Sequence, residues 1–529
     1  MKSLRLLLVV VLAMVLLSAA IPAAYGADPA EEGTLYLAIG GESEDGYDPT
    51  LGWGRYGSPL FQSTLLRRDE DLNVVNDLAK DVSLSEDGLV WTVKIREDAK
   101  FSDGEPLTAA DVAFTFNLAQ QSGGVVDMTA LDSAIATGDY TVEIRLKYPQ
   151  STFVNRLVSL GIVPEHAYDE NYSRNPVGSG PYKLVRWDEG QQLIVEANPY
   201  YYGERPSIGR LVFLFMDENT AFAAAQAGQV QVVAVPQALA IQEVPGMTLH
   251  PVQSVDNRGI MFPMEPNTGK TAADGYPIGN DVTADKAIRQ AINYAIDRQA
   301  LVDGVLEGFG SVAHSPVSAL PWDEPTAVIK DADPERARQI LADGGWTDTD
   351  GDGVVEKDGL KAQFTLLYPA GDATRQALAL AVTDMVADIG ILVDVQGKSW
   401  DDIKTLMHSN AVMLGWGSHT PLEMYYVYYS KNSGIDYYNP GYYSNPAVDA
   451  YMDKALAATG QDEANGYWKK AQWDGSTGLS AKGDAAWAWL VNLKHCYLVR
   501  ENLDIGQPKI EPHGHGWPII DNIAEWHWK

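Results

Sequence analysis

The chain has 529 residues, more than one hydrophobic core usually serves, so two or more lobes are expected. With 46% hydrophobic and 21% charged residues, its composition is that of a globular protein. Its formal net charge of −32, from 71 acidic against 39 basic side chains, argues against a nucleic-acid partner, because phosphate binding needs a basic surface.

Lys2 and Arg5 precede the apolar run Leu6–Leu17, and small residues follow up to Ala24-Tyr25-Gly26. This is the pattern of a signal peptide over residues 1–26, cleaved after Gly26. The continuous apolar run is short for a membrane span, but counted through Ala24 it approaches one, so a retained N-terminal anchor is the alternative. Cys496, the single cysteine, lies far away, which leaves no lipid-bearing cysteine there and no intramolecular disulfide.

After a polar linker at residues 27–33, Thr34–Ile39 reads as the first strand. Trp91, Val93 and Ile95 alternate with Thr92, Lys94 and Arg96, the mark of a half-buried strand. A turn at Ser102–Pro106 follows, then a helix capped by Thr108 and Asp111, with apolar residues from Val112. Tyr140–Leu146, Tyr182–Trp187 and Leu193–Ala197 are further strands. Gly178 and Gly180 lie in a turn whose spacing matches no phosphate-binding loop.

Beyond the Gly/Pro/Asn-rich segment Pro266–Asp281 the pattern turns helical. Ala287, Ile288, Ala291, Ile292, Ala295 and Ile296 share one helical face. Asp333-Pro334-Glu335 starts a helix that ends at Gly344-Gly345. Asp372 caps another, carrying Leu378, Val382, Met385, Val386 and Ile389, stopped at Gly390 and followed by a strand from Leu392 to Val395. Asn445-Pro446 opens one more helix, with Val448, Tyr451, Met452 and Ala455 inward. Strands alternating with helices imply α/β lobes.

Residues 88–116 (GLVWTVKIREDAKFSDGEPLTAADVAFTF), 177–213 and 287–310 resemble, in that order, the family 5 extracellular solute-binding proteins, the capture subunits of peptide and nickel ABC importers. The resemblance implies an α/β, two-lobe periplasmic-binding-protein-like clamp with a discontinuous, enlarged first lobe. On that reading residues 34–262 and 488–529 form lobe one, 263–487 form lobe two, and two chain crossings make the hinge. It also implies an extracytoplasmic monomer that binds a small solute or short peptide, needs no cofactor, and docks on membrane permease subunits. Catalysis finds no support in the sequence, which has no GxSxG elbow, no HExxH and no Cys/His pair with family spacing.

Arg375 falls just inside a helix start, where a guanidinium can hold a carboxylate through two parallel hydrogen bonds; an ordinary ion-paired arginine is the other reading. The resemblance implies that this position clamps a peptide's C-terminal carboxylate. It also implies that Trp416 packs on the ligand and that an Asp-Pro pair just beyond it supplies an anion for the peptide's α-amino group. Here that pair is Thr420-Pro421, preceded by His419, so standard recognition of a free amine is in doubt; Glu423 offers a carboxylate at a different reach. Tyr425 and seven further tyrosines up to Tyr443 crowd the same region, and Trp53 and Arg55 stand in a Gly-rich loop near the start of lobe one.

Two metal patterns occur. Asp348, Asp350, Asp352 and Gly353 have the alternation of a calcium loop, but the twelfth position is Gly359 rather than glutamate, and the resemblance implies an Asp/Gly-rich hairpin here as the other reading. His513 and His515, with His527 beyond, could serve a soft metal, although a packed C-terminal tail explains them as well. Short peptides are the expected ligand. A nickel or cobalt chelate with a small carboxylate carrier, met by Arg375 and His419, is the alternative, and an oligosaccharide the third.

Overall fold

The computed structural model describes residues 33–122, 126–514 and 516–529. The expected signal peptide, all but the last residue of the linker, and His515 lie outside the described residues.

An eleven-stranded sheet runs through the molecule. Its order is Leu392–Lys398, Gln363–Pro369, Ala411–Leu414, Met247–Met261, Trp487–Arg500, Val232–Val235, Thr34–Ala38, Arg210–Leu214, Gln192–Ala197 and Tyr182–Asp188, with Gly310–Val312 added beside Trp487–Arg500. Helices Lys286–Ala295 and Ala373–Ala387 pack one end of this sheet through Ile288, Ile292, Leu378, Val382 and Val386. At the other end Leu35, Leu193, Val195, Leu211 and Phe213 build a separate core with Trp517 and Trp526 of the C-terminal tail. A second, four-stranded sheet (Ala79–Leu84, Val90–Ile95, Thr141–Leu146, Leu131–Gly138) packs on helix Ala109–Ser122 and has its own core around Phe101, Phe116 and Leu157. The result is a two-lobe clamp whose first lobe is enlarged by that second sheet.

The lobes are joined by two long strands. Met247–Met261 and Trp487–Arg500 pair antiparallel from Met247↔Arg500 to Met261↔Trp487. Between the pairs Gln253↔Lys494 and Asn257↔Asn492, four steps on one strand oppose two on the other, so Ser254, Val255 and Asp256 bulge out of the ladder. The tail takes over pairing there: the Val255 N–H donates to the Glu511 carbonyl (2.8 Å) and the Glu511 N–H to the Gln253 carbonyl (2.8 Å).

Local signals explain most of the helix starts. Asp333, Asp372 and Asn445 each accept a backbone N–H of the first turn, as their positions before Pro334, Ala373 and Pro446 predict. At Thr108 half of the expected capping forms: Asp111 reaches back to the Thr108 N–H (2.9 Å), but the Thr108 hydroxyl donates to Asp111 (3.0 Å) rather than serving the helix. The other Asp111 oxygen accepts the Glu165 N–H (3.0 Å). The buried carboxylate therefore ties the helix start to a distant loop.

Gly178 and Gly180 have a packing role. A Cβ on Gly178 would lie 2.1 Å from the Phe61 carbonyl oxygen, and one on Gly180 2.3 Å from that of Leu60. The absence of side chains lets the Gly180 N–H reach the Phe61 carbonyl (2.8 Å) and the Gly178 carbonyl accept from Ser102 (2.9 Å). Gly178→Ala is expected to cost about 1–3 kcal/mol through overpacking against rigid backbone, read as a lowered midpoint in urea denaturation with an unchanged slope.

Candidate functional site

Between the lobes lies a cavity of about 1440 Å³. Lobe one contributes Arg55, Tyr56, Arg68, Asp127, Asn155 and Arg156 to its wall. The facing wall is the segment Trp416–Thr420 with Glu423, Tyr426 and Tyr438. The C-terminal tail forms a third side with Lys509–His513, Pro518 and Asp521–Glu525. The facing segment lies where it does because strand Ala411–Leu414 pairs with Gly259–Met261 and then leaves the sheet at Gly415, where the Asn257 side chain accepts the Trp416 N–H (2.8 Å).

The two lobes touch across the cavity. Arg68 Nη2 donates to the His419 carbonyl (2.6 Å) and to Asn155 Oδ1 (2.6 Å). Asn155 Nδ2 donates to the Thr420 hydroxyl (3.1 Å), and the Tyr426 hydroxyl donates to Asp127 (3.2 Å). Thr420 is thus engaged in an interlobe bond. Burial lowers the Arg68 pKa to about 10, still fully charged at neutral pH.

Glu423 is the electrostatic outlier of the wall. It is 3% exposed, and burial pushes its carboxyl up to about 8 against weaker opposing bonds from Asn257 and from the Ser418 and Gly417 backbone. Asn257 Nδ2 is 3.5 Å from Oε1, while Oε2 is sealed from solvent and has no hydrogen-bond partner. His419 is shifted the other way. Burial, then the charges of Arg68 and Lys509, push its pKa down to about 3, so its imidazole is neutral, and its Nε2 is buried without a partner.

Below the cavity, at the strand bulge, sits a buried ionic cluster. Asp256, 3% exposed, accepts from Arg258 Nη1 (2.5 Å) and Nη2 (3.3 Å), from His495 Nε2 (3.2 Å) and from His513 Nδ1. The other His495 nitrogen meets Glu511 at 2.6 Å, and the Tyr497 hydroxyl donates to the same Glu511 oxygen (2.9 Å). Although burial opposes it, Arg258 and the two imidazoles hold Asp256 well below the usual carboxylate range. Burial likewise opposes protonation of His495, yet its bonds to Asp256 and Glu511 raise it to about 9.

Of the residues singled out in the sequence, Arg55, Trp416, His419, Thr420, Glu423 and His513 line the cavity. Arg375, Trp53 and Tyr425 do not. Arg375, expected to clamp a ligand carboxylate, is 8% exposed and ion-paired with Asp372, the residue that caps its own helix, and lies over the Trp400 ring (5.8 Å). Trp53 donates its indole N–H to the Pro59 carbonyl (2.6 Å) and packs edge-on against Tyr47 and Trp517. Tyr425 stacks on Tyr429, with ring centroids 4.4 Å apart. His513, a candidate for a soft metal, is held by Asp256 through Nδ1, and His527 Nδ1 meets the Glu525 carbonyl (3.1 Å). Arg68, Asn155 and Asp127 went unnoticed in the sequence, because no local motif marks a residue that acts across a gap.

A cavity between two α/β lobes joined by paired crossing strands defines a solute-binding clamp. The chain belongs to the bacterial extracellular solute-binding proteins, family 5, whose middle region matches residues 73–438. Members of this family are extracytoplasmic binding components of transporters rather than enzymes. Protein XP55 of Streptomyces lividans is 32% identical over 503 residues, covering 91% of this chain and 88% of that protein. The oligopeptide-binding protein AppA of Bacillus subtilis is 32% identical over 428 residues, 75% of each chain. Its structure in complex with a nonapeptide superposes with a TM-score of 0.70 at 28% identity, covering 94% of this chain and 99% of that one. NikZ from Campylobacter jejuni, solved with Ni(L-His), shares the fold with a TM-score of 0.79 at 24% identity, over 94% and 99% of the two chains. Among the described residues no helix is long and apolar enough to cross a membrane.

Proposed function

We propose that the chain is the extracytoplasmic capture subunit of an ABC importer that takes up short peptides by closing about the hinge and delivers them to a membrane permease. It acts as a monomer, exported by its N-terminal segment, with lobe boundaries near residues 262 and 487. The observation that carries the peptide reading is the cavity of about 1440 Å³ bounded by both lobes. That exceeds the roughly 300–1,000 Å³ of ordinary small-molecule pockets and suits a peptide of several residues. AppA, crystallised with a nonapeptide, supports the same class. Ligand touching both walls shifts the open–closed equilibrium, and closure strengthens its polar contacts by excluding water.

With Arg375 outside the cavity lining and paired with Asp372, the cation assigned to a peptide carboxylate is Arg55. Its guanidinium rests over the Tyr56 ring (4.8 Å) and forms no ion pair among the described residues. Arg55→Ala is expected to weaken binding of a peptide with a free C-terminus by about 1.5–3 kcal/mol, with little effect on its C-terminal amide. Equal losses for both peptides in fluorescence titration would remove Arg55 from that role.

His419 favours the second reading, a nickel or cobalt chelate. A neutral, buried imidazole nitrogen with no partner in the cavity wall is a good donor to a borderline-soft metal. Native mass spectrometry of protein purified from its own host, with metal analysis on the same sample, separates the two. A co-purified peptide without metal upholds the first; stoichiometric nickel or cobalt with a small organic mass replaces it with the second. His419→Ala is then expected to abolish chelate binding and leave peptide affinity nearly unchanged.

A further inference from the structure

We propose that the loop Asp348–Glu356 of the second lobe is a calcium site. Asp348, Asp350 and Asp352 occupy its first, third and fifth positions, and Gly353 the sixth. The acid missing from the twelfth position is supplied from the ninth, by Glu356. Carboxylate oxygens of Asp348, Asp350 and Glu356 lie within 4.8 Å of one another. Oxygens that share an ion at about 2.3–2.6 Å need that spacing.

A second observation separates this loop from an ordinary acidic turn. Glu356 Oε1 accepts the Thr349 N–H (3.2 Å) and hydroxyl (2.5 Å), but Oε2 is sealed from solvent with no hydrogen-bond partner. A buried carboxylate oxygen without a donor is costly, and a cation at the centre of the three acids is the partner that would satisfy it.

The backbone is already shaped for this. Asp348 accepts the N–H groups of Gly351 (2.6 Å) and Gly353 (3.0 Å), and both glycines have φ in the left-handed region (80° and 89°). Reciprocal Thr347–Glu356 backbone bonds of 3.1 and 3.0 Å pin the two ends of the loop. The Lys361 ammonium contacts Asp350 (3.1 Å) and Asp352, and so competes with an incoming ion from the open side. All the donors are hard oxygens, which favours calcium over the nickel or cobalt considered for the cavity. The loop also braces the fold, since the Val355 N–H donates to the Gly390 carbonyl (2.9 Å) at the junction of helix Ala373–Ala387 with strand Leu392–Lys398. No loop residue lines the ligand cavity, so the site is independent of what the clamp carries.

The test is calorimetric titration of CaCl₂ into the chelator-stripped full chain, with thermal melts alongside. One site per chain is expected, with a Kd on the order of 10⁻⁴–10⁻³ M or tighter, as in extracellular modules, and MgCl₂ binding far more weakly. The double variant Asp348→Asn/Glu356→Gln should lose at least about tenfold in affinity, whereas Lys361→Met, which removes the competing ammonium, should gain affinity. The melting temperature should rise with calcium in the wild type and not in the double variant. Absence of a saturable site up to about 10 mM CaCl₂, beyond the weakest extracellular modules, overturns the proposal. So does undiminished binding in the double variant, which would assign the ion to the general acidic surface.

Discussion

Glu423→Gln is expected to stabilise the protein by about 3 kcal/mol at pH 7, a large effect for one isosteric change. The cause is that a carboxyl raised to about 8 by burial has an unfolded counterpart near 4.5. A group whose pKa is raised in the folded state stabilises fully below its unfolded value and loses that contribution as pH rises through the folded value. The wild type should therefore lose stability between pH 4.5 and about 8, and the variant should show no such slope. Urea denaturation at several pH values across that window checks it; parallel profiles would show that Glu423 titrates normally.

The same group makes a prediction about ligand. At pH 7 Glu423 is mostly protonated, and Oε2 has no donor. An α-ammonium brought close to this carboxyl would favour the ionised form, so peptide binding should expel about one proton per site. The binding enthalpy measured by calorimetry should then vary with the ionisation enthalpy of the buffer. Capping the peptide with an N-acetyl group should abolish that dependence and weaken binding. A buffer-independent enthalpy for a free-amine peptide would leave the amine without its anion at Glu423. A buffer-dependent enthalpy would reconcile Thr420-Pro421 with peptide capture: Thr420 bridges to Asn155, and the acid would come from the following helix instead.

Much of this arrangement was legible in sequence where the information is local. The caps before Pro334, Ala373 and Pro446, the alternation along Val90–Ile95 and the one-sided helix Lys286–Ala295 are rules of spacing, and the chain obeys them. Trp416, His419 and Glu423 came to notice because they stand in or beside a recognisable segment. The two longest strands did not. Trp487–Arg500 is buried along nearly all its length, so it has no in–out alternation to read, and its neighbour Met247–Met261 contains a bulge that breaks register. Arg375 shows where the sequence left two readings open, a carboxylate clamp or an ion-paired arginine. Its place at a helix start is as the sequence predicts, but the acid capping that helix also pairs with its guanidinium, and only packing reveals which way an arginine turns.

Asp256→Ala is expected to be the most destabilising of the substitutions considered, at about 3–5 kcal/mol, because it leaves buried cations without their anion. Arg258 and a protonated His495 both rest on that carboxylate, and His513 reaches it from the tail. The cluster also gives the hinge an alkaline limit. His495 is raised from 6.5 to about 9, so its contribution is complete below pH 6.5 and is lost as pH rises through about 9. Thermal melts across that interval should show a falling midpoint that His495→Gln flattens. Facing His495 are Asp256 and Glu511, with Tyr497 and Arg258 on those same carboxylates. Loss of the proton thus leaves two buried acids sharing one guanidinium, a phenol and the His513 imidazole. The bulge holding Asp256 and the tail segment holding Glu511 and His513 meet where the crossing strands separate. Loosening this point should therefore act on closure as well as on stability. Ligand affinity is expected to fall over the same alkaline range, and to fall less in a variant whose lobes are held closed by an engineered crosslink. Affinity that stays constant while the melting midpoint drops would confine the cluster to a structural role.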